Sequence, residues 1–169
     1  MKNTTRKIVI SSMFAALICV GTLIIRIPAP IAGYIHLGDC FVLLTGWLLP
    51  PAYGCLAAGI GSALADVLGG YASYALPTFL IKAIMALVAH FGYQLFSRKR
   101  AGIIPKVISG FSGEVVMVGG YFLYEAILYG IASSALNVPA NAVQACIGFV
   151  LAPLLFHIFE KNNVIGKIR

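Results

Sequence analysis

Apolar residues are gathered into six runs along the chain, and each run ends at glycines, prolines or charged residues. An α-helix needs about 20 apolar residues to cross the hydrocarbon core of a bilayer. The second run has only 13 residues, so it is too short to cross a full bilayer unaided. The uncharged stretch 132–139 is predicted as the loop before the last run. The pattern predicts an all-α bundle of six transmembrane helices, at residues 7–25, 37–49, 52–68, 77–96, 104–131 and 140–159.

Composition agrees with an integral membrane protein. Hydrophobic residues make up 60% of the 169 residues, and only five residues are acidic. The length suits one membrane domain covering residues 1–169. We expect the first run to be kept as a span, because no cleavage site followed by a polar mature sequence comes after it.

The net charge of +7 comes mainly from basic clusters that flank the apolar runs. Loops rich in Lys and Arg lie on the cytoplasmic side of membrane proteins. Six spans with both termini in the cytoplasm put every cluster on that side of a bacterial plasma membrane, which favours a topology signal over a nucleic-acid-binding patch. The clusters are Lys2, Arg6 and Lys7, then Arg98, Lys99, Arg100 and Lys106, and finally Lys161, Lys167 and Arg169.

Several common active-site motifs are absent from the sequence. The four cysteines are scattered without metal-ligand or disulfide spacing, so neither a metal nor another cofactor is expected. There is no GxxxxGK[ST] loop for ATP phosphates, and neither HExxH nor GxSxG occurs. Any ATP hydrolysis linked to this chain would therefore have to come from a partner.

Four ionisable residues interrupt the apolar runs: Asp39, Asp66, Lys82 and Glu125. A charge at the centre of a bilayer costs about 3 kcal/mol or more, so such residues point to a polar site between helices. The predicted topology brings all four towards the outer side. Asp39 is also suited to capping the second helix. Lys82 is expected either to pair with Asp66 or Glu125 or to contact a ligand, and these alternatives are not exclusive.

Polar and aromatic residues recur on faces of the last two helices. Tyr121, Glu125 and Tyr129 are four residues apart and share one face, while Asn141 and Gln144 are three apart. Aromatic faces with an amide and a carboxylate suit a flat heterocycle that forms hydrogen bonds. The tyrosines alone fit an interfacial aromatic belt equally well.

Other positions have a structural interpretation. His90 and His157 are expected to be packing residues, whereas Glu114 could contact His90 or face a partner subunit. In the first helix, small residues at Ser11, Ala15 and Cys19 form a face that permits close helix contact, within the chain or with another protein.

Three segments carry a resemblance to a known family: YIHLGD at 34–39, LLPPAYG at 48–54 and GIGSALAD at 59–66. With the six short helices and the basic amino terminus, they resemble the substrate-binding S components of energy-coupling factor (ECF) transporters. Nearly the whole chain is covered. Within that group the sequence is similar to the riboflavin-type branch, among members assigned to pyridoxine or hydroxymethylpyrimidine.

The resemblance implies a vitamin-binding subunit rather than an enzyme. Such subunits work with a transmembrane coupling subunit and two cytoplasmic ATPases, and they release substrate inward by toppling in the membrane. It implies that the first loop, 28–36, is a lid and that the face of Ser11, Ala15 and Cys19 meets the coupling subunit. The expected substrate contacts are Tyr34, His36, Asp39, Lys82, Tyr121, Glu125, Tyr129, Asn141 and Gln144.

Three alternatives remain at this stage. The vitamin could be another one, such as riboflavin. The chain could be a membrane assembly subunit whose buried charges only hold helices together. An intramembrane enzyme using Asp39 and Asp66 as an acid pair is the least favoured.

Overall fold

The computed structural model describes residues 2–31, 33–98 and 102–168, and over these ranges the chain is almost entirely helical. Of the basic residues assigned to the cytoplasmic side, Lys99, Arg100 and Arg169 lie outside the described residues. The α-helices are α1 (Lys2–Ile24), α2 (Gly38–Leu48), α3 (Pro51–Gly69), α4 (Ala75–Ser97), α5 (Ile104–Tyr129), α6 (Ile131–Lys161) and α7 (Val164–Ile168).

Five of these helices are long and apolar enough to cross a membrane: α1, α3, α4, α5 and α6. Helix α2 has 11 residues and therefore spans about 16 Å, roughly half of a hydrocarbon core. The sequence correctly predicted that this helix is too short to cross unaided.

Helix α2 forms the centre of the bundle. It contacts α1, α3, α4 and α6, and all but one of its residues are buried. An element surrounded by protein can begin and end at membrane depth, because the neighbouring helices shield its ends from lipid.

The loop predicted at 132–139 is wrong, because these residues belong to α6. The chain turns at a single residue, Gly130, whose φ of +84° lies in the region that favours glycine. The new helix starts at once, and the Ser134 hydroxyl donates 2.7 Å to the Phe122 carbonyl oxygen of α5. Pro139 lies inside α6 and does not end it.

The connection between α1 and α2 forms a short hairpin, which we call the hairpin loop and define as residues 26–31 and 33–37. Its strands are β1 (Ile27–Pro28) and β2 (Tyr34–Ile35), paired antiparallel with Ile27 opposite Ile35. The turns after α3 and between α5 and α6 lie at the same end of the bundle. We call this the hairpin end.

Candidate functional site

A polar cavity lies beneath the hairpin loop, between the ends of α3, α4, α5 and α6. Its volume is about 30 Å³. Carboxyl, amide, hydroxyl and aromatic groups all contribute to its wall. It is lined by Gly33, Tyr34, His36, Asp66, Tyr71, Tyr74, Thr78, Tyr121, Glu125, Asn141 and Gln144.

Six of the nine residues expected to contact a substrate line this cavity. They come from the hairpin loop, from α5 and from α6: Tyr34, His36, Tyr121, Glu125, Asn141 and Gln144. Tyr129 does not line it, because its side chain is 43% exposed at the end of α5. Asp39 and Lys82 are fully buried and do not line it either.

Asp39 and Lys82 form an ion pair that links α2 to α4. This corrects the expectation that Lys82 pairs with Asp66 or Glu125. The correction follows from the fold: α2 lies against α4, so the first turn of α2 reaches the lysine. The second Asp39 oxygen, Oδ2, accepts a 2.8 Å hydrogen bond from Gln144 Nε2. A buried carboxylate needs such partners, because removing it from water is costly.

A close approach of α6 to α2 places Gln144 on Asp39. A Cβ atom at Gly148 would lie 2.9 Å from the Asp39 Cβ and 2.5 Å from Glu114 Oε1. A larger residue would push α6 away, so glycine is required at this crossing. Gln144 is one helical turn away on the same face of α6.

Two amides of α6 fasten the hairpin loop to buried carboxylates. Gln144 Oε1 accepts a 3.2 Å hydrogen bond from the His36 N–H while its Nε2 donates to Asp39. Asn137 repeats this arrangement. Its Oδ1 accepts from the Ile31 N–H at 3.1 Å, and its Nδ2 donates to Glu125 Oε1 at 3.0 Å.

Asn137 was not predicted as a site residue, because residues 132–139 were predicted to form a loop. Its spacing of seven residues from Gln144 would have placed both amides on one helix face.

Tyrosine hydroxyls tie other parts of the cavity together. The Tyr34 hydroxyl donates a 3.3 Å hydrogen bond to Asp66 Oδ1, near the carboxyl end of α3, where the helix dipole disfavours an unpaired negative charge. The hydroxyls of Tyr121 and Thr78 are 3.0 Å apart. Lys82 Nζ lies 5.3 Å from the centre of the Tyr121 ring, within range of a cation–π contact.

The imidazole of His36, which belongs to the hairpin loop, is buried and is neutral at pH 7. Burial lowers its pKa to about 4, and the positive charge of Lys82 acts in the same direction, although Asp39 opposes it. The hydrogen bonding agrees, because Nδ1 accepts from the Gly38 N–H at 3.0 Å and therefore carries no proton. Burial also raises the pKa of Tyr34, and the neighbouring Asp66 adds to this effect.

Four polar atoms on residues that line the cavity are buried without a hydrogen-bond partner among the described residues. They are Asp66 Oδ2, the Tyr74 hydroxyl, Glu125 Oε2 and Asn141 Nδ2. Leaving a buried polar group unpaired costs about 1–3 kcal/mol. Two carboxylate acceptors, one amide donor and one hydroxyl in the same cavity form a pattern that a polar ligand can satisfy.

Some cavity residues were missed by the sequence analysis. Tyr71, Tyr74 and Thr78 follow the glycine turn at the end of α3. Asp66 was recognised as a buried acid, but it was not placed among the substrate contacts. The signal that could have found the tyrosines is their position after span three, at the same end of the bundle as the hairpin loop.

Among the described residues, Glu114 and His90 form no hydrogen bond with each other. The His90 Nδ1 atom lies 2.8 Å from the Gly46 carbonyl oxygen, and its Nε2 lies 2.8 Å from Gln94 Nε2, so its expected packing role is confirmed. Glu114 is buried against α6 near Gly148, and neither of its carboxyl oxygens has a hydrogen-bond partner within the described part of the chain.

The small-residue face of α1 borders an open apolar groove between α1 and α3, with a volume of about 590 Å³. Ser11, Ala15 and Cys19 all line it. The Ala15 backbone also lies against α3 at Gly61, so part of this face is used within the chain. Over the described ranges, no group of three His, Cys, Asp or Glu side chains could hold a metal ion.

Comparison with known proteins adds independent information. The profile of the family described as "ECF-type riboflavin transporter, S component" matches residues 2–161. A Pyrococcus woesei protein, described as an uncharacterized protein in a gap 3′ region, is 34% identical over 152 residues, covering 89% of this chain and 98% of that protein. The thiamine precursor transporter HmpT of Lactococcus lactis subsp. cremoris is 26% identical over 144 residues, covering 85% and 80%.

The family match extends over nearly the whole chain, and the bundle contains apolar helices of spanning length around a polar cavity. The chain therefore belongs to the ECF-type riboflavin transporter S component family, the membrane-embedded vitamin-binding subunits of ECF transporters.

Proposed function

We propose that this S component captures hydroxymethylpyrimidine or pyridoxine in the cavity beneath the hairpin loop and delivers it to an ATP-driven import complex. The observation that carries this function is the convergence of four unpaired buried polar atoms, on Asp66, Tyr74, Glu125 and Asn141, in one aromatic-walled cavity. A small ring with both hydrogen-bond donors and acceptors would satisfy them.

The chemistry of the wall favours a ligand rich in donors. Asp66 and Glu125 both offer acceptor oxygens, and the nearest buried cation, Lys82, is already paired with Asp39. An aminopyrimidine with a hydroxymethyl group presents amino and hydroxyl donors beside ring-nitrogen acceptors. Pyridoxine presents three hydroxyl donors beside its ring nitrogen. The similarity to a thiamine precursor transporter supports the pyrimidine as the first candidate.

Riboflavin is the alternative substrate that the family description names. Its three-ring system is larger than a single pyrimidine or pyridine, so the hairpin loop would have to open further to admit it. The small cavity therefore supports a single-ring ligand better.

Binding requires the hairpin loop to move. A cavity of about 30 Å³ has room for roughly two water molecules, which is less than any of these rings needs. Tyr34 belongs to the loop and hydrogen bonds across the cavity to Asp66, so displacing the loop would open the site. This agrees with the lid role expected for residues 28–36.

The partners in this proposal are a transmembrane coupling subunit and two cytoplasmic ATPases. The sequence has no phosphate-binding loop of its own. The groove beside Ser11, Ala15 and Cys19 would receive the coupling subunit, against which the S component topples to release substrate inward. Both termini would lie in the cytoplasm, with α2 counted as the sixth membrane-embedded helix and the hairpin end facing outward.

Two variants of Glu125 test the site. Because Glu125 Oε2 is an acceptor without a partner among the described residues, Glu125→Ala should weaken hydroxymethylpyrimidine binding about tenfold to a hundredfold, as expected for one hydrogen bond to a charged group. Glu125→Gln keeps the shape of the side chain, so its affinity should lie between those of Glu125→Ala and the unmodified protein. Isothermal titration calorimetry on detergent-purified protein gives the affinities.

The matched control is Glu160→Gln, which removes an exposed acid of α6 at the opposite end of the bundle. This control should bind like the unmodified protein. Folded Glu125→Ala with unchanged affinity would remove Glu125 from the site and refute the proposed binding mode.

A further inference from the structure

Asn137 and Gln144, the two α6 amides that bind the hairpin loop, each donate a hydrogen bond to a buried carboxylate. The two carboxylates differ in how many of their oxygens have a partner. Asp39 is saturated, since one oxygen is paired with Lys82 and the other accepts from Gln144. Glu125 is half-satisfied, since Oε1 accepts from Asn137 while Oε2 is buried, unpaired and part of the cavity wall. The attachment through Gln144 is therefore independent of a ligand, whereas the attachment through Asn137 depends on Glu125, which a ligand can contact.

We propose that Asn137 is a positioning residue that transmits the state of the Glu125 carboxyl group to the hairpin loop, so that an occupied cavity holds the loop closed. The connection is a chain of two hydrogen bonds, from Glu125 Oε1 to Asn137 Nδ2 and from Asn137 Oδ1 to the Ile31 N–H. It deepens the proposed function, because the ligand that it senses is the vitamin of that proposal.

The direction of the effect follows from the geometry. A ligand donor on Glu125 Oε2 restrains the carboxyl group and keeps Oε1 facing Asn137. The amide is then held with its oxygen towards Ile31, and hydrogen bonds in such a chain polarise one another. Without a ligand, the carboxyl group is held at one oxygen only, so the link to the loop is looser.

The hydrogen bond from the His36 N–H to Gln144 is an internal reference for the one from the Ile31 N–H to Asn137. It joins the His36 N–H to Asp39 through an equivalent amide, but Asp39 has no free oxygen to offer a ligand. Asn137 and Gln144 are 1% and 2% exposed, so differences in solvent access do not distinguish them. The Ile31 amide should respond to changes at Glu125, and the His36 amide should not.

Hydrogen–deuterium exchange at the Ile31 and His36 amides tests this without any ligand. Asn137→Ala should raise exchange at Ile31 about tenfold, the effect of one lost hydrogen bond, and leave His36 within about twofold. Glu125→Ala should also raise exchange at Ile31, although Glu125 makes no hydrogen bond to the loop among those described. Exchange at Ile31 in the double variant should be little faster than in Asn137→Ala alone, because both substitutions break the same chain of hydrogen bonds.

Asn141→Ala is the matched control, because it removes another α6 amide at the cavity and should leave Ile31 exchange unchanged. A variant that merely unfolds raises exchange at Ile31 and His36 together. The proposal is overturned if Glu125→Ala leaves Ile31 exchange unaltered, or if the effects of the two substitutions multiply as independent changes would.

A second arm adds hydroxymethylpyrimidine and, separately, pyridoxine. A ligand that binds should slow exchange at Ile31 more than at His36, and this difference should vanish in Asn137→Ala. Binding without a selective effect at Ile31 refutes the transmission. If neither compound binds the unmodified protein, the proposed substrates are wrong, while the ligand-free comparison still decides whether Asn137 connects Glu125 to the loop.

Discussion

At the level of single residues, the site depends on how each buried charge is compensated. The pair of Asp39 and Lys82 is fully buried, and it lies next to the cavity wall rather than in it. Its role is to anchor Gln144 and, through that amide, the hairpin loop. A charge pair of this kind is stabilising only while both members are present.

Removing one member of this pair should destabilise the protein strongly. Lys82→Met leaves Asp39 buried without a counter-ion, which costs about 3–5 kcal/mol. The double variant Asp39→Asn with Lys82→Met should lose less stability than Lys82→Met alone, because no uncompensated charge remains. Thermal unfolding in detergent measures the stability of the single variants and of the double variant. A double variant as unstable as the sum of its singles would show that the two residues act independently.

The buried His36 should make stability depend on pH. Its pKa is about 4 in the folded protein and about 6.5 when it is free of this environment, so the unfolded chain binds the proton first as the pH falls. The free energy of unfolding should therefore decrease as the pH falls from 7 towards 4. His36→Asn keeps an acceptor for the Gly38 N–H and should reduce this dependence. An unchanged pH profile in His36→Asn would assign the effect to other groups.

The sequence predicted six of the residues that line the cavity, and the limit of that prediction has a physical cause. Periodicity put Tyr121 and Glu125 on one face of α5, and both line the cavity. The partner of Lys82 could not be predicted, because it depends on how deeply the short α2 sits beside α4. Contacts across helices are set by packing, which spacing along one helix does not reveal.

At the level of helices, the sequence located most elements and failed at the start of α6. Residues 132–139 have the alanines and serines of a helix, but the stretch has no long apolar run and ends at Pro139, and it was predicted as a loop. Proline ends a soluble helix more strongly than a membrane helix, where neighbouring groups satisfy the freed carbonyl oxygen. The consequence was large, because this turn of α6 carries Asn137.

The groove between α1 and α3 should bind the coupling subunit. Ala16 is exposed at the groove, whereas the Ala15 backbone packs against α3, so Ala16→Trp fills the groove with less disturbance of the bundle. Co-purification of the coupling subunit and ATPases with this variant should fall several-fold, with vitamin binding by the isolated chain unchanged. Leu123→Trp, on the exposed face of α5, is the matched control. Equal co-purification of both variants would exclude the groove as the interface.

At the level of the whole molecule, two features of the bundle point to a binding subunit. One end carries a polar cavity covered by a hairpin loop, and one side presents an apolar groove between α1 and α3. The basic clusters predict that the end opposite the hairpin end faces the cytoplasm. The family was identified from sequence patterns spread over the chain, and the family match confirms it.

The most direct test of the account is native mass spectrometry of the detergent-purified chain, stripped of ligand and then offered hydroxymethylpyrimidine, pyridoxine, riboflavin and thiamine separately. We expect a one-to-one complex with hydroxymethylpyrimidine or pyridoxine, whose abundance falls strongly in Glu125→Ala at the same ligand concentration. Selective binding of riboflavin would contradict the proposed substrate class. The absence of binding by the folded protein to all four compounds would contradict the capture function and favour a structural role for the buried charges.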